Sequence, residues 1–145
     1  MNLEKQGSSI TTVMVIDDDP DFQQVLTEVF NADDQFEVVG SFSTLEAFTD
    51  SIPENHAEAQ QYLADLLVID VMSSGNVPDS KSLIDGATVA TFLRQTGLDF
   101  AVLLVSSMKS HHFELYGHRK NWEFVRKSSK LSPGEILQCA RLALG

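Results

Sequence analysis

Val13-Met14-Val15-Ile16, followed at once by Asp17-Asp18-Asp19, and Leu66-Leu67-Val68-Ile69, followed by Asp70, decide how this chain folds. Apolar runs this short, bounded by polar residues and separated by stretches of helical periodicity, read as buried strands of a parallel sheet. In an open α/β sheet, ligands bind beyond the carboxyl ends of the strands, where the strand order reverses. Acids at both of those ends therefore mark a candidate site. Crowded carboxylates repel one another, and a hard divalent cation with oxygen ligands relieves that repulsion.

Outward from these two stations the pattern repeats. Residues 11–16 make the first strand. Asp19 suits a helix N-cap and Pro20 a first helical position, after which Phe22, Val25, Leu26, Val29 and Phe30 recur at helical spacing. Residues 36–40 form a second strand, interrupted by Glu37 as befits a sheet edge. A helix starting near Ser43 or Thr44 carries Leu45 and Phe48, and the polar stretch 51–62 has room for a loop and an extra helical turn. Residues 73–82, rich in Ser, Gly and Pro, read as a long loop directly after Asp70. The next helix begins around Asp85-Gly86, ends at Gly97 and buries Val89, Phe92 and Leu93. Residues 100–105 form a fourth strand that ends in Ser106-Ser107, and a His-rich stretch through Lys120 holds a further helix. A short fifth strand runs from Trp122 to Arg126, with Glu123 interleaved, and Lys127 follows it. Ser132-Pro133-Gly134-Glu135 is a capping box opening the last helix, with Ile136, Leu137, Ala140 and Leu144 on one face.

Strand and helix thus alternate as (βα)5. That pattern specifies an α/β, doubly wound, five-stranded parallel sheet with helices on both faces. Order 2-1-3-4-5 puts the polar-interrupted second and fifth strands at the edges. It also sets the first and third strands side by side, so Asp17, Asp18 and Asp70 converge where the order reverses.

The 145 residues are read as a polar leader, 1–10, and one domain, 11–145. A net charge of −11 argues against direct contact with nucleic acid or an anionic membrane. Cys139 is the only cysteine, so no internal disulfide forms; it reads as a small buried hydrophobe in a reducing compartment. The first nine residues lack the apolar stretch of a signal peptide, and no run approaches membrane-spanning length. A cytoplasmic location is expected.

Two or three acids, a hydroxyl (Ser106) and a lysine (Lys127) at the ends of four strands make a phosphoryl-transfer kit. A carboxylate serves as nucleophile and gives an aspartyl phosphate. Mg2+ offsets the incoming charge, and lysine and hydroxyl bind the equatorial oxygens. Each element has a plainer use: Asp19 as a cap, Ser107 as a cap of the following helix, a lysine after an edge strand as a solvated side chain. Their joint arrangement at one sheet edge is what carries the functional reading. His111 and His112 are adjacent and would diverge on a helix, so with His56 and His118 they are read as solvated. Asn31 and Asn55 are read as local capping or turn residues.

The ordered set Val15-Ile16-Asp17-Asp18-Asp19-Pro20, Leu67-Val68-Ile69-Asp70, Asp85-Gly86, Leu104-Val105-Ser106-Ser107 and Phe124-Val125-Arg126-Lys127 resembles that of response-regulator receiver domains, over about residues 11–144. The resemblance implies that Asp70 is the phosphoacceptor, with Asp17 and Asp18 as the acidic pocket. It implies Mg2+ held by Asp18, Asp70 and the backbone carbonyl of Met72, with Asp17 acting directly or through water. Ser106 would be the switch hydroxyl, Lys127 the phosphate-binding lysine and Phe124 the switch aromatic. Met72 and Met108 occupy the positions that flank the path of a hydrolytic water. Neither side chain orients water well, which implies a long-lived phosphorylated state, unless Asp79, Ser80 or Lys81 supplies a polar group.

Three departures from the family pattern stand out: Ser73-Ser74 replaces the usual Met-Pro, Asp85-Gly86 comes late, and Ser128 stands where a proline usually follows the lysine, removing the usual reason for a cis bond. The expected function is a phosphoacceptor in a two-component relay, accepting from a histidine kinase or phosphotransfer protein and catalysing nothing but its own phosphorylation and dephosphorylation. The alternatives are a pseudo-receiver that only binds protein, and a haloacid-dehalogenase-like phosphatase with Asp17 as nucleophile. Beyond Lys127 the latter would have only Glu135 as a further acid. A homodimer or a C-terminal output domain outside this sequence is a further partner reading; the chain stops at Leu144-Gly145 without a linker, which reads as a piece of a longer regulator, the alternative being a stand-alone domain.

Overall fold

In the computed structural model, which describes residues 9–71, 86–107 and 120–145, five parallel strands form one sheet in the order β2-β1-β3-β4-β5. The elements run β1 (Thr11–Ile16), α1 (Pro20–Asn31), β2 (Phe36–Phe42), α2 (Leu45–Ser51), α3 (His56–Tyr62), β3 (Leu66–Asp70), α4 (Gly86–Gln95), β4 (Ala101–Ser106), β5 (Trp122–Arg126) and α5 (Pro133–Leu144). The fold class and strand order are those the sequence specifies. Residues 1–8 of the leader, the loop 73–82 and the His-rich helix expected before Lys120 lie outside the described residues.

The central strands β3 and β4 are buried at every position, as strands covered on both faces must be. Side chains alternate across the sheet. Val13, Val15, Leu66, Val68, Leu103 and Val105 pack under α1 and α5 with Leu26, Phe30, Ile136 and Ala140. Met14, Ile16, Leu67, Ile69, Val102 and Leu104 pack on the other face under α2, α3 and α4 with Phe48, Leu63, Ala87 and Leu93.

The caps are as expected. Asp19 accepts from the backbone N–H groups of Asp21 and Phe22, Thr44 caps α2, Asn55 caps α3, and Ser132 and Glu135 form a reciprocal capping box. Asn31 ties α1 to β2 by accepting from the Val38 N–H at 2.9 Å. Several details differ from the sequence reading. The second strand extends to Phe42, and its pairing with β1 slips by one residue between Val13 and Met14, so Val39 bulges from the edge and is exposed. The extra helical turn is a full short helix, α3. β4 begins and ends one residue later than expected, bringing Ser106 into the ladder.

Phe92, expected in the core, is 62% exposed, and Val25 is 43% exposed. On α4 the buried stripe runs through Gly86, Ala87, Val89, Ala90 and Leu93, and Phe92 lies about 100° around the helix from Leu93, on its flank. Val25 is displaced from Leu26 in the same way. Cys139 is half-buried, and burial, with the carboxylates of Glu123 and Glu135, pushes its thiol up. No peptide bond among the described residues is cis, so Lys127–Ser128 is trans.

One close approach shapes the rim of the site. A Cβ on Gly86 would strike Ile69 Cγ2 and lie 2.8 Å from the Asp70 carbonyl oxygen. The Gly86 N–H also donates to the Val71 carbonyl at 3.0 Å. Glycine is thus what lets α4 start against the end of β3. Gly86→Ala should lower stability by about 1–3 kcal/mol, as forced overpacking does, with Asp70 displaced. Urea unfolding measures the first and amide chemical shifts the second.

Candidate functional site

Four strand ends deliver the side chains. Asp17 follows β1, and its N–H donates to the Phe42 carbonyl at 3.0 Å. Gln23, on the first turns of α1, donates to the carbonyls of Asp17 and Phe42 and so fixes the turn that carries the acids. Asp70 ends β3 opposite Val105, and Ser106 ends β4 opposite Arg126. The Lys127 N–H extends this ladder by donating to the Ser106 carbonyl at 2.8 Å. Asp17, Asp70 and Ser106 are the buried polar residues of the described chain.

The lysine closes the site. Lys127 Nζ donates to Asp17 Oδ1 and to Asp70 Oδ2, each at 3.1 Å, and lies 3.0 Å from Asp17 Oδ2. Its side chain is 16% exposed. Phe22, in the first turn of α1, places its ring centroid 4.7 Å from the same nitrogen, a cation–π contact. The sequence reading used Phe22 only as a core residue. Its spacing from Asp17 was visible, but nothing in the spacing places a lysine 105 positions later over the ring.

Asp17, directly after β1, is buried, whereas Asp18, where the chain bends away from the strand, is exposed. Burial pushes Asp17 up to about 6 against the Asp19 N–H and Lys127, which hold it down, and the Asp70 charge adds to the rise. Asp18 is exposed; partial desolvation and then the Asp70 charge raise it. Burial works against the Lys127 ammonium, but its bond to Asp17 and the charges of Asp70 and Asp17 outweigh that, and it is held above the ordinary lysine value.

The acids fit a divalent cation. One oxygen from each of Asp17, Asp18 and Asp70 lies within 4.8 Å of the others. An octahedral Mg2+ with ligands at about 2.1 Å separates its own ligand oxygens by about 3.0–4.2 Å. Asp17 Oδ2 is buried and makes no hydrogen bond among the described residues, although the Lys127 ammonium lies 3.0 Å from it. That oxygen is available to a metal or its water. Asp19 stands outside this cluster, and its Oδ1 caps α1.

Asp18→Ala should therefore weaken Mg2+ binding at least tenfold, whereas Asp19→Ala should leave it intact and cost about 1 kcal/mol of stability as a lost cap. Magnesium titration followed by fluorescence or NMR, with thermal melts, separates the two.

Protonation of Asp17 has a definite sign. A folded value above the unfolded 3.8 means that its protonation stabilises the metal-free fold fully below pH 3.8, a contribution lost as pH rises through about 6. Mg2+ competes with that proton, so apparent affinity should fall about tenfold between pH 7 and pH 5. Titration at the two pH values checks this; in Asp17→Asn the difference should shrink.

The remaining expected site residues fall as follows. Phe124, on β5, is half-buried and stands edge-on to Trp122 with ring centroids 6.5 Å apart. Ser107 is exposed, and Glu135 is held in the capping box. Met72, Met108, Asp79, Ser80 and Lys81 lie outside the described residues.

No protein-family model and no curated protein matches the sequence. Solved structures do. The BeF3-activated DrrB receiver domain is 20% identical with a TM-score of 0.65, over 93% of this chain and 97% of that one. The signal receiver domain of the response regulator NarL from Mycobacterium tuberculosis is 23% identical, TM-score 0.66, over 92% and 98%. The response regulator domain of Thermotoga maritima CheB is 21% identical, TM-score 0.62, over 93% and 96%. Intact Thermotoga maritima DrrB is matched over 50% of its length, so the chain spans about half of that regulator. The chain has the flavodoxin-like fold of response-regulator receiver domains.

Proposed function

We propose that this domain is a phosphoacceptor of a two-component relay, with Asp70 as the residue phosphorylated by a histidine kinase or phosphotransfer protein. The observation that carries the reading is the Lys127 ammonium bridging Asp17 and Asp70, beside the buried Ser106 at the end of the adjacent strand. An Asp70 carboxylate oxygen attacks phosphorus, the bond from phosphorus to the donor imidazole nitrogen breaks in line, and the electron pair leaves on the imidazole, which takes up a proton. Lys127 moves from the Asp70 carboxylate to a phosphoryl oxygen, and the Ser106 hydroxyl donates to another. Asp18 and Asp70, and by the family resemblance the Met72 carbonyl, would hold Mg2+, with Asp17 acting directly or through water; the ion would neutralise charge on the phosphoryl oxygens.

Ser106, once turned toward the phosphoryl group, vacates space into which Phe124 rotates, so β5 and its flanking surface change shape. The partner reading that surface is an output domain or a second copy. The domain is proposed to be cytoplasmic and to catalyse only its own phosphorylation and dephosphorylation; among the described residues no helix is long and apolar enough to cross a membrane. The phosphatase alternative draws no support from Glu135, which is committed to capping α5.

The test is incubation with acetyl phosphate and Mg2+, followed by intact-mass and peptide analysis. The expected result is one phosphoryl group on the peptide containing Asp70, abolished by chelation of Mg2+. No uptake, together with no spectral response to beryllofluoride, would leave only the protein-binding pseudo-receiver.

A further inference from the structure

The side of the molecule away from α1 and α5 carries a feature that phosphoryl chemistry does not use. Thr49 and Ile52 from the end of α2, and Thr88, Val89, Phe92 and Leu93 from α4, line a groove of about 420 Å3 whose walls are almost wholly apolar. Phe92 stands 62% exposed on its edge, the most exposed of the large hydrophobic side chains among the described residues. An open pocket of this size takes one or two large apolar side chains.

Among the described residues, the charges around the groove have one sign. From Ser43 to Ala64 the chain carries Glu46, Asp50, Glu54 and Glu58 and no lysine or arginine. Glu46 and Asp50 lie on α2 one turn before and directly beside Thr49, and both are exposed. The only charged residue of α4 is Arg94, and its guanidinium is turned to the opposite side. There it donates to the carbonyls of Phe100, Lys120 and Asn121 and stacks 5.4 Å from the Phe100 and Trp122 rings. No described base neutralises the α2 acids.

We propose that this groove docks a basic amphipathic helix of a partner protein, seating one apolar residue against Phe92 while lysines or arginines face Glu46 and Asp50. A groove between two helices with an apolar floor suits the helix-in-groove mode, in which anchors recur every three or four residues. Charge complementarity selects the occupant. A second copy of this chain would bring the same acids against themselves, which disfavours a symmetric dimer through this face. The site is separate from the phosphorylation chemistry, so its test does not depend on that reading.

The probe is a synthetic 18-residue peptide with leucines at helical anchor spacing and lysines on the flanks, with a twin carrying glutamate for lysine. Both are titrated into the isotope-labelled full chain and followed by amide shifts. The lysine peptide should move Thr49, Ile52, Thr88 and Phe92, and the glutamate twin should not. Phe92→Ser should weaken binding at least tenfold. The pair Glu46→Gln and Asp50→Gln should weaken it about fivefold and flatten its salt dependence, while Asp34→Gln with Glu37→Gln, equal in charge but remote, should change it less than twofold. All of these positions are exposed, and thermal melts confirm folding.

Shifts spread over the acidic surface, equal loss from both charge pairs, or equal binding of the twin would overturn the proposal. So would self-association through Phe92, or Phe92→Ser moving the amides of residues 72–85 in the free protein while the peptide does not bind. These last two results would assign the groove to a second copy or to the chain itself.

Discussion

An Asp70→Asn protein should take up no phosphoryl group from acetyl phosphate and show no beryllofluoride-induced shift, while remaining folded. The side chain lies at the end of a strand buried along its whole length, and the substitution keeps its shape while removing the nucleophilic oxygen anion. Asp17→Asn is the companion. Asp17 is 1% exposed and faces Lys127 and the metal pocket, so its loss should slow phosphorylation through weakened Mg2+ binding, with saturating Mg2+ restoring part of the rate. If the roles are reversed, with Asp70→Asn still labelled and Asp17→Asn inert, Asp17 is the nucleophile and the domain is phosphatase-like. Peptide mass analysis of both variants decides between the two.

Lys127→Ala should slow phosphorylation by about a hundredfold or more, the usual effect of removing one fixed group that stabilises transition-state charge. The same substitution should leave Mg2+ affinity unchanged or tighter. Lys127 neutralises Asp17 and Asp70 at 3.0–3.1 Å, so it competes with the metal for the carboxylates and also orders them. Without it, Mg2+ alone offsets two acids whose mutual repulsion has grown. A drop in Mg2+ affinity parallel to the drop in rate would show instead that the lysine acts mainly by positioning the acids. Beryllofluoride binding at saturating Mg2+ provides an independent reading and should be lost.

The sequence by itself determined the sheet and the place of the acids. Fully apolar runs such as Leu66-Leu67-Val68-Ile69 cannot lie at an edge, whereas runs broken by Glu37 or Glu123 can, and this contrast orders the strands. Once the order is 2-1-3-4-5, Asp17 and Asp70 must end on neighbouring strands, and Ser106 and Lys127 must lie at the same rim. The starts of α1, α2 and α5 were equally legible, because a cap is a contact between residues two or three apart in the chain.

Only the tertiary structure decided the features that depend on which distant atoms meet. The apolar spacing of α1 and α4 defines a stripe wider than the face the sheet covers, so periodicity placed Val25 and Phe92 inside while packing left both in solvent. Gly86 is needed because Ile69 and the Asp70 carbonyl occupy the space its Cβ would take. The burial of Asp17 beside an exposed Asp18 follows from where the chain turns out of β1. The Phe22 ring under Lys127 is a contact across 105 residues, set by how α1 and the end of β5 lie against one sheet edge, and no local pattern encodes it.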